Sequence, residues 1–145
     1  MTLDIDQFCR TLAREAPDAI IYAGAAGLIA FWNRGAERIF GFSEAEVMGQ
    51  SLDIIIPENL RHRHCAGFAE TMRAGKTRYG AGEVLAVPAL RKNGTLLSIE
   101  FTILPFVDGA GRILGMAAIL RDVTKRFEEI KAMRKQLSTE RETTA

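Results

Sequence analysis

One segment of this chain constrains its fold more than any other. Between residues 97 and 103, apolar and polar side chains alternate without a break. The apolar set is Leu97, Ile99, Phe101 and Ile103, and the polar set is Ser98, Glu100 and Thr102. Because successive side chains of a β-strand point to opposite faces, this alternation predicts a strand with one buried and one solvated face. Such a strand is typical of an antiparallel sheet that covers a core on one side.

Glycine-containing turns separate this strand from other extended segments. Residues 19–23 and 28–33 flank Gly24-Ala25-Ala26-Gly27, which is the composition of a β-hairpin. The turn Lys92-Asn93-Gly94-Thr95 predicts a second hairpin, whose first strand we expect to begin near Tyr79. A further turn at residues 108–111 leads to a last strand over residues 113–121. The sequence therefore predicts five strands.

Short helices are predicted between the second and third strands. Asn33 is a suitable N-cap for a helix over residues 34–40, and Ser43 with Glu46 forms a capping box that begins another. Pro57 suits the first turn of a longer helix that reaches about Arg73. Strands interrupted by helices in this order predict an α+β fold.

Both ends of the chain are predicted to be helical. Asp4 and Gln7 begin an amphipathic pattern that predicts a flanking helix over residues 1–15, ahead of a domain over residues 16–124. In residues 125–145, a- and d-type positions of a heptad hold Phe127, Ile130, Arg134 and Leu137. This last helix either pairs with a second copy of the chain or packs back on the sheet as a solvated helix.

Composition excludes several classes of function. A net charge of +1 provides no basic surface for nucleic acid. No apolar run approaches the roughly 18 residues of a membrane span, and the first ten residues lack the basic start of a signal peptide, so we expect a cytoplasmic protein. Cys9 and Cys65 lack the spacing of a disulfide framework or a zinc site and are expected to be buried thiols.

The order of the elements and five sequence motifs resemble the PAS family, the sensory modules of bacterial signalling proteins. The similarity covers residues 16–124. Its motifs are FWNRGAERIFGFS at 31–43, EVMGQ at 46–50, IP at 56–57, KNGT at 92–95 and RDVT at 121–124. The resemblance implies a PAS fold, in which a five-stranded antiparallel sheet flanked by short helices encloses a pocket for a ligand or cofactor. It also implies that the terminal helix carries the signal out. We expect a homodimer, from the heptad pattern of that helix, and a downstream signalling protein as partners.

Some members of this family bind heme b, among them oxygen-sensing histidine kinases and heme-regulated phosphodiesterases. Their proximal histidine lies in a stretch similar to IPENLRHRH at residues 56–64, where His64 takes the position of the iron ligand. The resemblance places Phe101 and Ile103 on the distal side of the heme. It places Arg78 where those kinases contact a heme propionate, and Tyr79 is expected beside it among the cofactor-binding residues.

Helical geometry indicates which histidine faces the pocket. Side chains two residues apart on a helix point about 200° away from each other, so His62 and His64 cannot both enter it. His64 belongs to an apolar stripe at i, i+4 spacing, which we expect to contact the cofactor: Leu60, His64, Phe68 and Met72. A neutral imidazole on an apolar wall can bind heme iron, or it can hydrogen-bond a backbone carbonyl and fill space.

Two functions follow, and they belong to different classes. The first is a sensor that binds heme b through His64 and detects a diatomic gas or a redox state. The second is a cofactor-free module that binds a small organic ligand or a partner protein. Where the oxygen-sensing members carry a distal arginine or methionine, this chain has Glu83, whose charge would repel bound oxygen, so that mechanism is not expected. If Glu83 turns outward, the remaining apolar distal side would suit CO or NO.

The sequence contains no motif for flavin photochemistry or for common enzyme classes. Cys65 does not lie in the Asn-Cys-Arg-Phe type of motif that flavin-binding light sensors of the family use. The chain has no nucleophile elbow, no zinc-protease motif and no kinase signature, so we expect no enzyme. The one catalytic chemistry open to it would be peroxidase-like and would come from a bound heme.

Overall fold

The computed structural model, which describes residues 2–77, 79–80 and 82–144, has helices and strands in the predicted α+β order. The helices are α1 (Ile5–Glu15), α2 (Arg34–Phe40), α3 (Glu44–Val47), α4 (Arg61–Ala74) and α5 (Thr124–Thr144). The strands are β1 (Ala19–Gly24), β2 (Ile29–Trp32), β3 (Leu85–Leu90), β4 (Leu96–Val107) and β5 (Ile113–Asp122). Two 3₁₀ turns, Leu52–Ile55 and Glu58–Leu60, lie between α3 and α4.

The strands form one antiparallel sheet in the order β2-β1-β5-β4-β3. Leu97 and Ile99 of β4 are buried, and Phe101 and Ile103 are partly buried on the same face, which confirms the alternation. The central pairing joins the two ends of the domain, because Ala19 at the start of β1 lies opposite Leu120 near the end of β5. Helices α1 and α5 therefore leave the sheet at the same end.

The predicted helix caps are confirmed. The Asn33 side chain accepts hydrogen bonds from the backbone N–H of Ala36 and of Ile20, at 2.9 and 2.8 Å. The hydroxyl of Ser43 accepts from the N–H of Glu46, whose carboxylate accepts from the N–H of Ser43 in return. These local bonds begin α2 and α3 where the sequence predicts them.

The hydrophobic core occupies one half of the space beside the sheet. Its largest fully buried side chains are Trp32, Phe40, Ile29, Leu97 and Val47. The indole N–H of Trp32 donates to the backbone carbonyl of Phe42 at 3.0 Å, and its ring lies 5.5 Å from that of Phe40. Helices α2 and α3 thus close the sheet on this side, and α4 contributes nothing to this core.

Two element boundaries and the exposure of the cysteines differ from the sequence-based expectations. The helix expected to start at Pro57 begins at Arg61, because residues 58–60 form a 3₁₀ turn. The strand expected from Tyr79 begins at Leu85, because Gly82 adopts a φ of 80° that an extended strand does not allow. Cys9 and Cys65 are exposed and not buried, since neither helix that carries them buries a residue.

The structure bears on whether the C-terminal helix packs back on the sheet or is left to pair with a second copy of the chain. Helix α5 buries no residue along its length, so it does not pack back on the sheet. It extends from the domain with Phe127, Ile130 and Leu137 exposed. Among the described residues, no helix combines the length and apolarity needed to cross a bilayer.

Candidate functional site

An apolar cavity of about 90 Å³ lies between α4 and the sheet. Strands β1, β4 and β5 form one wall, α4 forms the other, and the first 3₁₀ turn closes one side. The lining residues are Ile21, Ala23, Leu52, His64, Phe68, Phe101, Ile103, Met116, Ala117 and Ala118. The cavity therefore occupies the half of the sheet that the core leaves open.

Among the lining residues that the structure describes, His64 is the one with a titratable side chain. Burial lowers the pKa of its imidazole. The negative charge of Asp53 acts in the opposite direction, but its effect is smaller than that of burial. Within the part of the chain that the structure describes, no hydrogen bond to the imidazole is formed, although its ring lies 6.3 Å from that of Phe68. At neutral pH the site thus presents an uncharged imidazole whose nitrogen lone pair is available to a ligand.

Helix α4 is held over the cavity without being packed into the core. None of its residues is buried, whereas α2 and α3 bury Ala36, Phe40 and Val47 between them. The guanidinium of Arg61 donates to the backbone carbonyl of Ile56 at 3.0 Å and fixes the start of the helix. Gly75 ends it in the left-handed conformation, with a φ of 73°. The middle of α4 therefore presents His64 and Phe68 to the cavity.

The structure brings together four of the predicted cofactor residues, namely His64, Phe68, Phe101 and Ile103. Three others, Leu60, Met72 and Tyr79, are partly buried but do not line the cavity. A step of four residues advances 400° around a helix, so a stripe at i, i+4 spacing drifts by about 40° at each step. The ends of the predicted stripe consequently turn away from the face that its middle presents.

Two further predictions concern Arg78 and Glu83. Arg78, expected to contact a propionate, lies outside the described residues. Glu83 is exposed just before β3 and is not part of the cavity lining. The described lining is therefore apolar on the sheet side, as expected for an outward Glu83.

Sequence reasoning missed the contribution of β1 and β5 to the cavity. Ile103 of β4 lies directly opposite Ala118 of β5, which in turn lies opposite Ile21 of β1. The alternation of β4 contained this signal, because its inward face continues across the neighbouring strands. The alanines at 23, 117 and 118 are what leave space at this position, since larger side chains would fill it.

Known proteins resemble this chain in both sequence and structure. The PAS fold model matches residues 7–123. The chain is 28% identical over 131 residues to the Sensor protein FixL of Bradyrhizobium diazoefficiens, covering 90% of this chain and 25% of that protein. It is 28% identical over 96 residues to the Oxygen sensor protein DosP of Escherichia coli, covering 66% of this chain and 12% of that protein. The chain thus spans a quarter or less of the length of either relative.

A crystal structure of a PAS domain from Colwellia psychrerythraea superposes with a TM-score of 0.70 and 25% sequence identity. The match covers 84% of this chain and 99% of that domain. The similarity therefore extends over nearly the whole of one solved domain of this fold.

Proposed function

The chain belongs to the PAS family of sensory modules, and on that premise we propose that its cavity binds heme b with His64 as the proximal iron ligand. One observation carries the proposal. Helix α4 holds a neutral imidazole over an apolar cavity while burying none of its own residues. The sequence resemblance to heme-binding members at residues 56–64 and the relative named as an oxygen sensor support it.

The chemistry of the lining fits a heme. An imidazole nitrogen binds heme iron when the ring is uncharged, and burial keeps His64 in that form. Phe68, one turn along the helix, would cover the proximal face, and Phe101 with Ile103 would cover the distal face and exclude water. When bound, heme supplies an iron centre that can bind a diatomic gas or change its redox state.

The size of the cavity sets a condition on binding. A volume of about 90 Å³ is below the roughly 300 Å³ at which sites for larger organic ligands begin. A porphyrin therefore requires α4 to lie farther from the sheet than it does in this structure. Such a displacement breaks no core packing, because α4 buries no residue. Ligand binding and the position of α4 are coupled in this proposal.

Strand β5 connects the cavity to the C-terminal helix. Ala117 and Ala118 line the cavity on β5, and the same strand continues to Asp122. The Asp122 carboxylate accepts hydrogen bonds from the N–H and hydroxyl of Thr124 at 3.0 and 2.6 Å, at the first residue of α5. We propose that occupancy of the cavity shifts β5 between two packings and that α5 reports the shift to a downstream signalling protein.

The polarity of the lining favours some gases over others. Every side chain on the sheet wall of the cavity lacks an N–H or O–H donor. Bound oxygen is stabilised by a donor, whereas CO and NO need none. The proposed signals are therefore CO, NO or a change in iron redox state. The protein acts in this proposal as a sensor and not as an enzyme.

A second function is favoured by the same cavity volume. As described, the cavity can hold a small apolar molecule without any movement of α4. A cofactor-free module of this kind would bind an organic ligand against Phe68, Phe101 and Ile103. In such a module His64 would contribute packing contacts alone, so replacing it would change the affinity for the organic ligand only modestly.

Exposed apolar side chains favour a homodimer. Helix α5 exposes Phe127, Ile130 and Leu137 along one seam, and α1 exposes Ile5, Phe8 and Leu12. Both helices leave the sheet at the same end. We propose that a second copy of the chain covers the α5 seam.

Reconstitution with hemin tests the heme proposal. The wild-type protein is expected to give a sharp Soret band, shifted from that of free hemin, and a ferrous CO complex. His64→Ala removes the ligand and should weaken hemin affinity by at least about tenfold, or roughly 1.4 kcal/mol. Added imidazole should restore the spectrum by occupying the vacated position.

His62→Ala is the matched control, because His62 lies on the same helix with an exposed side chain. It should leave the wild-type spectrum unchanged. A His64→Ala protein that binds hemin like the wild type would overturn the assignment of His64. A wild-type spectrum identical to that of free hemin would remove heme and leave the second function.

A further inference from the structure

Charged side chains follow one another along α5 in blocks of alternating sign. The blocks are Lys125 and Arg126, then Glu128 and Glu129, then Lys131, Arg134 and Lys135, and finally Glu140 and Glu142 on either side of Arg141. All of them are exposed, and within the described residues 124–144 none forms an ion pair with another part of the chain. These charges are therefore available to a partner.

The ends of α5 carry charges that an isolated helix disfavours. After the Asp122 carboxylate, which accepts from the N–H of Thr124, the first turn contains Lys125 and Arg126 and no acidic residue. A helix has partial positive charge at its N-terminus and partial negative charge at its C-terminus, so basic residues at the start are unfavourable. A neighbouring helix that runs in the opposite direction corrects this, because its negative end lies beside the basic first turn.

The apolar seam sets the register of two such helices. Phe127 and Arg134 occupy a-type positions, and Ile130 and Leu137 occupy d-type positions. When one helix is turned end for end, Phe127 lies opposite Leu137 of the second copy, and Ile130 lies opposite Arg134 of the second copy. Each Arg134 then packs against an aliphatic side chain instead of another guanidinium.

The side chains that flank the seam fit this register. Arg126 and Glu140 are both at g-type positions, and antiparallel pairing brings Arg126 beside Glu140 of the second copy, twice by symmetry. Met133, which is 62% exposed, lies beside its own copy at the centre of the seam. One unfavourable contact remains, between Lys131 and its own copy. Two attractive pairs thus outweigh one repulsive pair.

Parallel pairing reverses this balance. In a parallel pair, a g-type residue lies beside the e-type residue five positions later in the partner helix. Arg126 would then lie beside Lys131 of the second copy, twice, and Arg134 would lie beside its own copy within the seam. All three contacts bring like charges together, so the charge pattern disfavours this direction.

We propose that α5 pairs with α5 of a second copy in the antiparallel direction. This inference rests on the proposed homodimer, since it specifies the direction of that interface. A helix of 21 residues is about 30 Å long, so the two domains lie toward opposite ends of the helix pair. The end of each α5 then lies beside the start of the other. A shift of β5 in one copy consequently acts on the helix of both copies.

Reversal of charge tests the direction, with the dimer dissociation constant of the full chain measured by sedimentation equilibrium at low ionic strength. Arg126→Glu and Glu140→Arg should each weaken the dimer at least about fivefold, because each makes two attractive pairs repulsive. The double variant Arg126→Glu/Glu140→Arg should restore the wild-type constant. Parallel helices predict the opposite sign, since Arg126→Glu would place an acid beside Lys131 and tighten the dimer.

Lys125→Glu is the matched control, because it makes the same change of charge in the first turn at an f-type position, away from the seam. It should leave the dissociation constant unchanged. An Arg126→Glu protein that dimerises as tightly as the wild type or more tightly overturns the antiparallel direction, and so does a double variant no tighter than either single variant. Both results leave the homodimer in place, whereas a wild-type chain that is monomeric overturns the proposed homodimer as well.

Discussion

At the scale of single residues, Asn33 shows how one polar side chain connects three parts of the fold. It is 3% exposed, and its carbonyl oxygen accepts from the N–H of Ile20 in β1 and of Ala36 in α2. Its amide donates to the backbone carbonyls of Asp18 and Ala16, at 3.0 and 3.4 Å, in the segment after α1. A buried amide that satisfies this many backbone groups is costly to remove.

Asn33→Ala should lower the free energy of unfolding by about 2–4 kcal/mol, because it leaves buried backbone donors and acceptors unpaired and removes the α2 cap. Urea denaturation followed by circular dichroism measures this change. The exposed Asn59 provides the control, and Asn59→Ala should cost less than about 0.5 kcal/mol. Equal effects of the two substitutions would contradict the connecting role of Asn33.

Residue identities in the sequence predicted the caps well and the cavity incompletely. Asn33, Ser43 and Glu46 act within one turn of helix, so their hydrogen bonds depend on local spacing alone. Met116 lines the cavity because of how β5 pairs with β1 and β4, which is a property of the whole sheet. No local pattern around residue 116 contains that information.

At the scale of elements, α4 differs from its neighbours by lacking buried residues. The sequence predicted its apolar stripe and placed His64 and Phe68 inward, where the structure also has them. The stripe drifts around the helix, so its outer members Leu60 and Met72 leave the cavity. The start of the helix was also missed, because the 3₁₀ turn at Glu58–Leu60 has no distinct sequence signal.

An ion pair joins α3 to the turn between β3 and β4. The ammonium of Lys92 lies 2.6 Å from the carboxylate of Glu46. The pKa of Glu46 is lowered to about 2, first by Lys92 and then by the N–H of Ser43. Because the folded pKa lies below the ordinary value of 4.5, the stability it contributes is present above pH 4.5 and is lost as the pH falls toward 2.

Lys92→Ala should therefore make the free energy of unfolding depend less on pH between pH 4.5 and pH 2. The wild type should lose more stability than the variant between pH 4.5 and pH 2, while the gap between them narrows as the carboxylate is protonated. Urea midpoints at several pH values measure this difference. Lys76, which is exposed and outside this pair, supplies the control as Lys76→Ala. Parallel pH profiles for the wild type and Lys92→Ala would contradict the pairing.

At the scale of the whole molecule, apolar side chains remain uncovered on both flanking helices. The α5 seam continues directly from β5, so a second copy bound there would be sensitive to the position of that strand. An exposed apolar surface of this kind usually marks an interaction site. The sequence predicted the seam, and in the structure α5 contacts the sheet at Thr124 and is exposed beyond it.

Ile130→Glu should convert a dimer to a monomer in light-scattering measurements at micromolar concentration, because it places a charge in the seam. Ala132→Glu adds the same charge to the opposite face of the helix and should leave the dimer intact. A wild-type protein that is monomeric, or an Ile130→Glu protein that stays dimeric, would contradict pairing through α5.

Amide hydrogen exchange tests most directly whether the cavity between α4 and the sheet binds heme through His64. Without a ligand, α4 should exchange faster than α2 and β4, because it buries no residue. Hemin should slow exchange across Arg61–Ala74 and the inner strands in the wild type, and should leave it unchanged in His64→Ala. If hemin leaves α4 unprotected, or protects it equally in both proteins, heme is not held there by His64.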